Sequence, residues 1–437
     1  VNELTDWLTD PVPSRFPYDA VVDQYHRVGK HFVSEQLLKD LAVARERLAQ
    51  AATADEADAA AEEDGLLTRF LDTALDKWDG RYDYPTYTSL SVLGLPTADD
   101  GPRAAASARA RRDRLVVQLL ADLLRFELAA VEGRTDLLPE MRPDDRLVEK
   151  RCRLALRVAR PALARLGHGD PLTAADPVAQ AAQLWEFVDG ELLDDHERRV
   201  LRLSMLPVYV SHDEHMFIRV LQTFETTFAL LALSLRTAIG DLGAARTGPA
   251  VAHLAVAETA LAESAPLFSL LATMQIESFR TFREYTEGAS AIQSRNYKLV
   301  ESLCRTPDRD RLDSPAYRST PEVRERILNG QPTLDDACAT ALDDGRFTAA
   351  DRERLTAAML TLASALRRWR QTHYRIAVRM LGTRSGTGYT EGTPYLSHVR
   401  TIPVFRSVKD TAGDTAGAGD TAERTITHLM KTENEAA

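Results

Sequence analysis

Cysteine, strand-like alternation and surplus basic charge are all scarce in this sequence. Three cysteines, Cys152, Cys304 and Cys338, stand far apart in 437 residues. That spacing offers no zinc or iron–sulfur pattern and no disulfide framework, and it predicts a reducing, cytoplasmic setting. No window approaches about eighteen uninterrupted apolar residues, so no membrane span is expected. The opening VNELTDWLTDPVPSRF is acidic and lacks the apolar core of a signal peptide. Basic charge is in deficit: 54 Lys+Arg against 65 Asp+Glu leave a net charge of −11. General nucleic-acid or membrane-surface binding is disfavoured by that balance. The one Arg-rich stretch, Ala104 to Val116, is expected to be a solvated helix face.

What the sequence has is helical periodicity. Ala, Leu, Glu and Arg fill long segments with apolar residues three and four apart. The fold class expected is all-α, a helical bundle. Helices are expected over 65–79, 104–132 and 144–166, and a Pro- and charge-rich stretch over 307–335 with short helices only. Ala52 to Asp64 reads as a helix or connector. The Gly-, Ala- and Thr-rich tail 411–437 is expected to be disordered. This divides the chain into an N-terminal helical extension, 1–80, and a main helical domain, 81–410, with a helical insertion at about 100–200.

Three long helices should carry the core. Phe217, Leu221, Phe224, Phe228, Leu231 and Leu235 form one apolar stripe. Leu254, Leu261 and Phe268 recur at sevens, with Pro266 marking a kink or a new segment. Leu355, Met359, Leu362, Leu366, Trp369, His373, Ile376 and Met380 form the third stripe, which puts His373 on a buried face. A histidine there is either a core side chain satisfied by its neighbours or an axial ligand to a haem iron. Spacing alone leaves both open.

Four blocks of sequence carry more. The segment WRQTHYRIAVRMLGTRSGTGYTEGTPYL holds Trp369, Arg370, His373, Arg379, Gly382, Gly386, Thr387, Gly388, Gly392, Tyr395 and Leu396. ESFRTFREYTEGASAIQSRNYKLVE holds Phe282, Arg283, Ser290, Gln293, Ser294, Tyr297 and Glu301. HDEHMFIRVLQTFETTF holds His212, Asp213, Glu214, Phe217, Ile218, Gln222 and Glu225, and YPTYTSL holds Tyr84 and Tyr87. In order and in register, these blocks resemble the motifs of the tryptophan 2,3-dioxygenase superfamily, over roughly residues 80–95 and 205–400.

The resemblance implies a b-type haem with His373 as its iron ligand and Trp369, Arg379, Gly386 and Ser294 beside it. Arg283 would grip a substrate carboxylate through paired, charge-assisted hydrogen bonds, a role that suits a guanidinium fork. Thr387 would lie near the ammonium group, and Phe217 and Phe279 would pack on the substrate ring. Tyr84 and Tyr87 would reach over a neighbouring subunit's site in a homo-oligomer, dimer or tetramer. The implied reaction puts oxygen from O₂ into the indole C2–C3 bond of tryptophan or a modified tryptophan.

The departures fall where substrate would be touched. Leu221 occupies the position of the family's distal histidine and offers no polar atom to an indole N–H. Phe279 lacks the hydroxyl of the family's tyrosine. Tyr389 and Glu391 replace glycine and serine in the loop. These changes, with the long additions, imply a specialised relative in secondary metabolism. Three readings stay open: a dioxygenase, a monooxygenase or hydroxylase of another aromatic amino acid, and a non-catalytic haem-binding protein.

Overall fold

The computed structural model describes residues 2–51, 58–95, 101–343, 345–382 and 393–408. Among these the protein is all-α, with no strand and a single isolated bridge between Glu140 and Ser211. The predicted tail after 410 and residues 52–57 of the Ala-rich connector lie outside the described residues.

The centre of the molecule is the helix His212–Gly243. An amphipathic helix buries one stripe, but this one is enclosed almost all round. It packs against Gly101–Val131, Thr247–Glu263, Arg295–Cys304 and Leu334–Asp343. Its length and hydropathy would let it cross a membrane, yet 89% of its apolar window is buried in the protein, as in a core helix. The segment Thr247–Leu271 meets the same measures with 50% of its window buried. Thr247–Glu263 also packs against Ala349–Leu381, the helix that carries His373.

Local chemistry explains the boundaries. A reciprocal capping box of Thr348 and Asp351 starts Ala349–Leu381. Ser294 caps Arg295–Cys304 by accepting from the Tyr297 N–H. Pro266 begins a new short helix, Pro266–Leu271, rather than kinking a continuous one. The expected helices appear as Gly101–Val131 and Asp145–Arg165, and the 307–335 stretch forms only short helices, two of them opened by Pro315 and Pro321.

The Arg-rich stretch is solvated on one side only. Arg111 is exposed, but Arg112 is buried and pairs with Asp113 at 2.9 Å and Glu263 at 3.3 Å. Arg165 closes on the same two carboxylates. Buried charges must be paired, and here the pairing ties the 100–200 insertion to the main bundle. A second core gathers Leu4, Tyr25, Leu41, Leu67, Phe70 and their neighbours with Leu203 and Leu206. It seats the N-terminal helices on the segment that leads into the central helix.

Candidate active site

A cavity of about 230 Å³ opens between the central helix, Ile276–Thr286, Arg295–Cys304, Ala349–Leu381 and the short helices Tyr84–Tyr87 and Thr393–Thr401. Its walls are mostly apolar. Nine residues given a site role from the sequence meet there: Tyr84, Tyr87, Phe217, Leu221, Phe279, Arg283, Ser294, Trp369 and His373. Arg379 does not; it is exposed near the C-terminal end of its helix. Gly386, Thr387 and Tyr389 lie outside the described residues.

His373 is half-buried by surface, because one side of its ring faces the cavity. Protein encloses the rest. Burial, and secondarily the Lys298 charge, pushes its pKa down to about 4, so the imidazole is neutral near pH 7. Neither ring nitrogen has a hydrogen-bond partner among the described residues. The core-histidine reading required such partners. One turn earlier, Trp369 sits in a box of rings, 5.8 Å from Phe224, 5.2 Å from Phe228, 5.4 Å from Phe268 and 5.1 Å from both Tyr297 and His373. Packing on so many faces fixes the helix turn that presents His373.

At another part of the wall, Phe217 meets Phe279 at 5.8 Å and Phe282 at 5.4 Å, with Tyr87 at 6.4 Å. Arg283 follows Phe279 by one helical turn and lines the same space. Leu221 lies one turn beyond Phe217 and brings only methyl groups.

The polar end of the cavity is cationic. Lys298, Arg311 and Arg370 all line it and all are buried. Glu301 serves all three: Arg311 holds it through two bonds of 2.9 Å, Lys298 stands 3.7 Å away, and Arg370 adds its charge. Burial alone would raise the Glu301 carboxyl, but Arg311, Lys298 and Arg370 outweigh it and hold it well below the usual range. Burial pushes Lys298 down to about 8. Three cations against one carboxylate leave two positive charges unmatched by any described acid here.

Two buried acids behave oppositely. Burial raises Glu225, in the cavity wall, to about 7, against hydrogen bonds from Ser294, Asn296 and Tyr84. Burial likewise raises Glu214 to about 8, although it accepts from the Val208 and Tyr209 N–H groups and from the Tyr87 hydroxyl.

The four matching blocks therefore converge on one cavity. No family model matches the chain. Curated relatives do. A tryptophan 2,3-dioxygenase of Burkholderia lata is 27% identical over 232 residues, covering 46% of this chain and 75% of that protein. One from Paraburkholderia phytofirmans is 25% identical over 279 residues, 55% of this chain and 91% of that protein. One from a Polaromonas species is 25% identical over 235 residues, covering 46% and 80%. These relatives support the chain as a distant member of the tryptophan 2,3-dioxygenase superfamily.

For such a member the residues present suit a haem. No cluster of three or more His, Cys, Asp or Glu side chains stands among the described residues, so a bare metal ion has no cage here. A single neutral imidazole in an apolar wall suits an iron already held by a macrocycle. The unmatched pair of positive charges suits the two propionates.

Tyr84 and Tyr87 are buried in the cavity wall of the single chain, the Tyr84 N–H donating to Gln293 Oε1 at 2.9 Å. Sequence reasoning missed the cationic end. Glu301 was noticed, but Lys298 and Arg311 gave no signal beyond helical proximity, since Arg311 comes from a separate short helix.

Proposed function

We propose that this chain is a haem-dependent oxygenase acting on tryptophan or an indole-bearing relative. The observation that carries this is the placement of a neutral His373, with no hydrogen-bond partner among the described residues, in the same cavity wall as Arg283 and the Phe217–Phe279 ring pair. Homology to proteins named tryptophan 2,3-dioxygenase supports the haem and the aromatic amino acid.

His373 would hold the iron, and Lys298, Arg311 and Arg370 would neutralise the propionates. Haem, when bound, supplies the O₂ chemistry, while the protein supplies binding and orientation. Arg283 takes the substrate carboxylate in a paired, charge-assisted contact, and Thr387 takes the ammonium. Phe217 and Phe279 would pack on the substrate ring from one side and keep water from it. No side chain is required as an obligatory base. Oxygen insertion at C2–C3 with both atoms opens the ring.

Leu221 favours a second reading. It leaves an indole N–H without an acceptor at that point of the wall, so an N-substituted indole or another aromatic amino acid is accommodated at no cost. Insertion of a single oxygen atom, in secondary metabolism, belongs to this reading. The deciding experiment incubates reduced, haem-loaded protein with tryptophan, N-methyltryptophan and tyrosine under labelled O₂. A product heavier by two oxygen atoms supports the dioxygenase, and by one the monooxygenase. Failure to develop a Soret band after haem supplementation refutes both.

A further inference from the structure

We infer that the 100–200 insertion sets the proposed substrate face, with Arg151 and Gln275 as positioning residues for Phe279 and Arg283. This rests on the reading that Phe279 and Arg283 meet the substrate. The insertion itself lies outside the four motif blocks, and the resemblance gives it no role.

Arg151 lies on Asp145–Arg165 with no exposed surface. Each of its guanidinium nitrogens donates. Nε reaches Thr273 Oγ1 at 3.2 Å, and Nη1 reaches Glu127 at 2.8 Å. Nη2 reaches Asp213 Oδ1 at 2.6 Å and the Thr273 oxygen at 3.3 Å. Glu127 belongs to the insertion, whereas Asp213 stands in the first turn of the central helix and Thr273 leads into Ile276–Thr286. A buried guanidinium between two buried carboxylates holds one geometry, since a charge left there without its partner is costly.

Asp213 passes that geometry on. Its Oδ2 accepts the Gln275 N–H at 2.6 Å, and Gln275 is the residue from which Ile276–Thr286 starts. A carboxylate at that end also faces the positive pole of the helix. The Gln275 side chain turns back to the insertion, Nε2 donating to the Met141 oxygen at 2.7 Å. Its carbonyl accepts the Phe279 N–H at 3.0 Å. Gln275 therefore joins the insertion to Phe279 by two routes, and Arg283 follows one turn later.

The segment before the central helix repeats the link. The Glu140 N–H donates to the Val210 oxygen at 3.2 Å, and the Glu140 oxygen accepts from the His212 N–H at 2.9 Å. Between them, the Ser211 hydroxyl pairs with that of Ser278, both buried. Ser278 immediately precedes Phe279. A tilt of Ile276–Thr286 would move the Phe279 ring against Phe217 and the Arg283 guanidinium together. The insertion thereby acts on substrate affinity rather than serving as bulk.

Gln275→Ala removes the Met141 contact and leaves every buried charge of this cluster paired, so it tests the link without unfolding the core. Hydrogen exchange of the full chain, read by mass spectrometry, should show residues 278–286 opening about three- to tenfold faster, the worth of one hydrogen bond, with Ala349–Leu381 unchanged. Arg151→Lys keeps the charge but loses the fork, and should give the same local signature. Unchanged exchange over 278–286 in both variants overturns the inference, whether or not a ligand binds. So does equal acceleration in both helices, which marks a general loss of stability. A spectral titration of the haem-loaded protein then follows the link to Arg283. Gln275→Ala should weaken L-tryptophan about threefold or more in the wild-type background and have little further effect in Arg283→Ala. An equal loss in both backgrounds overturns the positioning role. If L-tryptophan leaves the wild-type haem spectrum unmoved, the substrate reading fails, and the exchange result alone decides whether the insertion holds this helix.

Discussion

Arg370 donates through Nε to the Tyr297 hydroxyl across 2.9 Å, joining the helix of the proposed iron ligand to the helix of the cationic cluster. Arg370 also donates to the Ile402 oxygen at 2.8 Å, and Tyr297 stacks on Trp369 at 5.1 Å. One guanidinium thus sets the distance between His373 and Lys298. Tyr297→Phe keeps the stack and removes the acceptor. We expect a loss of about 1–3 kcal/mol in urea unfolding, the worth of a buried charge-assisted bond.

His373→Ala should abolish stable haem binding while leaving helix content unchanged, because the Trp369 ring box holds the helix without it. Haem titration followed by Soret absorbance, with far-ultraviolet circular dichroism, checks both halves. A normal Soret band in the variant would remove His373 as ligand.

Arg283→Ala should weaken binding of an amino-acid substrate by about 1.5–3 kcal/mol, the range for hydrogen bonds to a charged group. Indole amines, which lack the carboxylate, should bind both proteins alike. Comparing L-tryptophan with tryptamine by spectral titration distinguishes the clamp from a general loss of packing.

Glu225 gives a pH dependence whose sign is fixed. Burial raises its folded pKa to about 7, above the ordinary 4.5 of a glutamate in water. The folded state therefore holds a proton that the unfolded state releases. The stabilisation is fully present below the unfolded pKa and is lost as pH rises through about 7. Glu225→Gln should flatten the fall in stability between pH 5 and 8 by an amount on the order of 1–3 kcal/mol. Parallel urea titrations across that range measure it. Equal slopes in both proteins would show that Glu225 is ionised in the fold.

Much of this protein could be read from its residues in a line. Period-3.6 apolar spacing located the three long helices, and comparison with the motifs gave a site role to nine of the residues that meet in the cavity. Those signals survive in sequence because helix formation is local and a motif keeps its spacing. Other features were not legible there. The enclosure of His212–Gly243 on almost all sides depends on how many helices surround it. The burial of Arg112 depends on Glu263, 151 residues away. The cationic end joins Lys298, Arg311 and Arg370 from three helices, and Tyr84 and Tyr87 are held in the cavity wall by Gln293 and Glu214, more than a hundred residues away. Charge compensation and wall closure act between side chains that only tertiary packing brings together. The sequence by itself determined the helices and the residues proposed as haem ligand and carboxylate clamp; tertiary structure decided which buried charges stand unmatched and which side chains meet in the cavity wall.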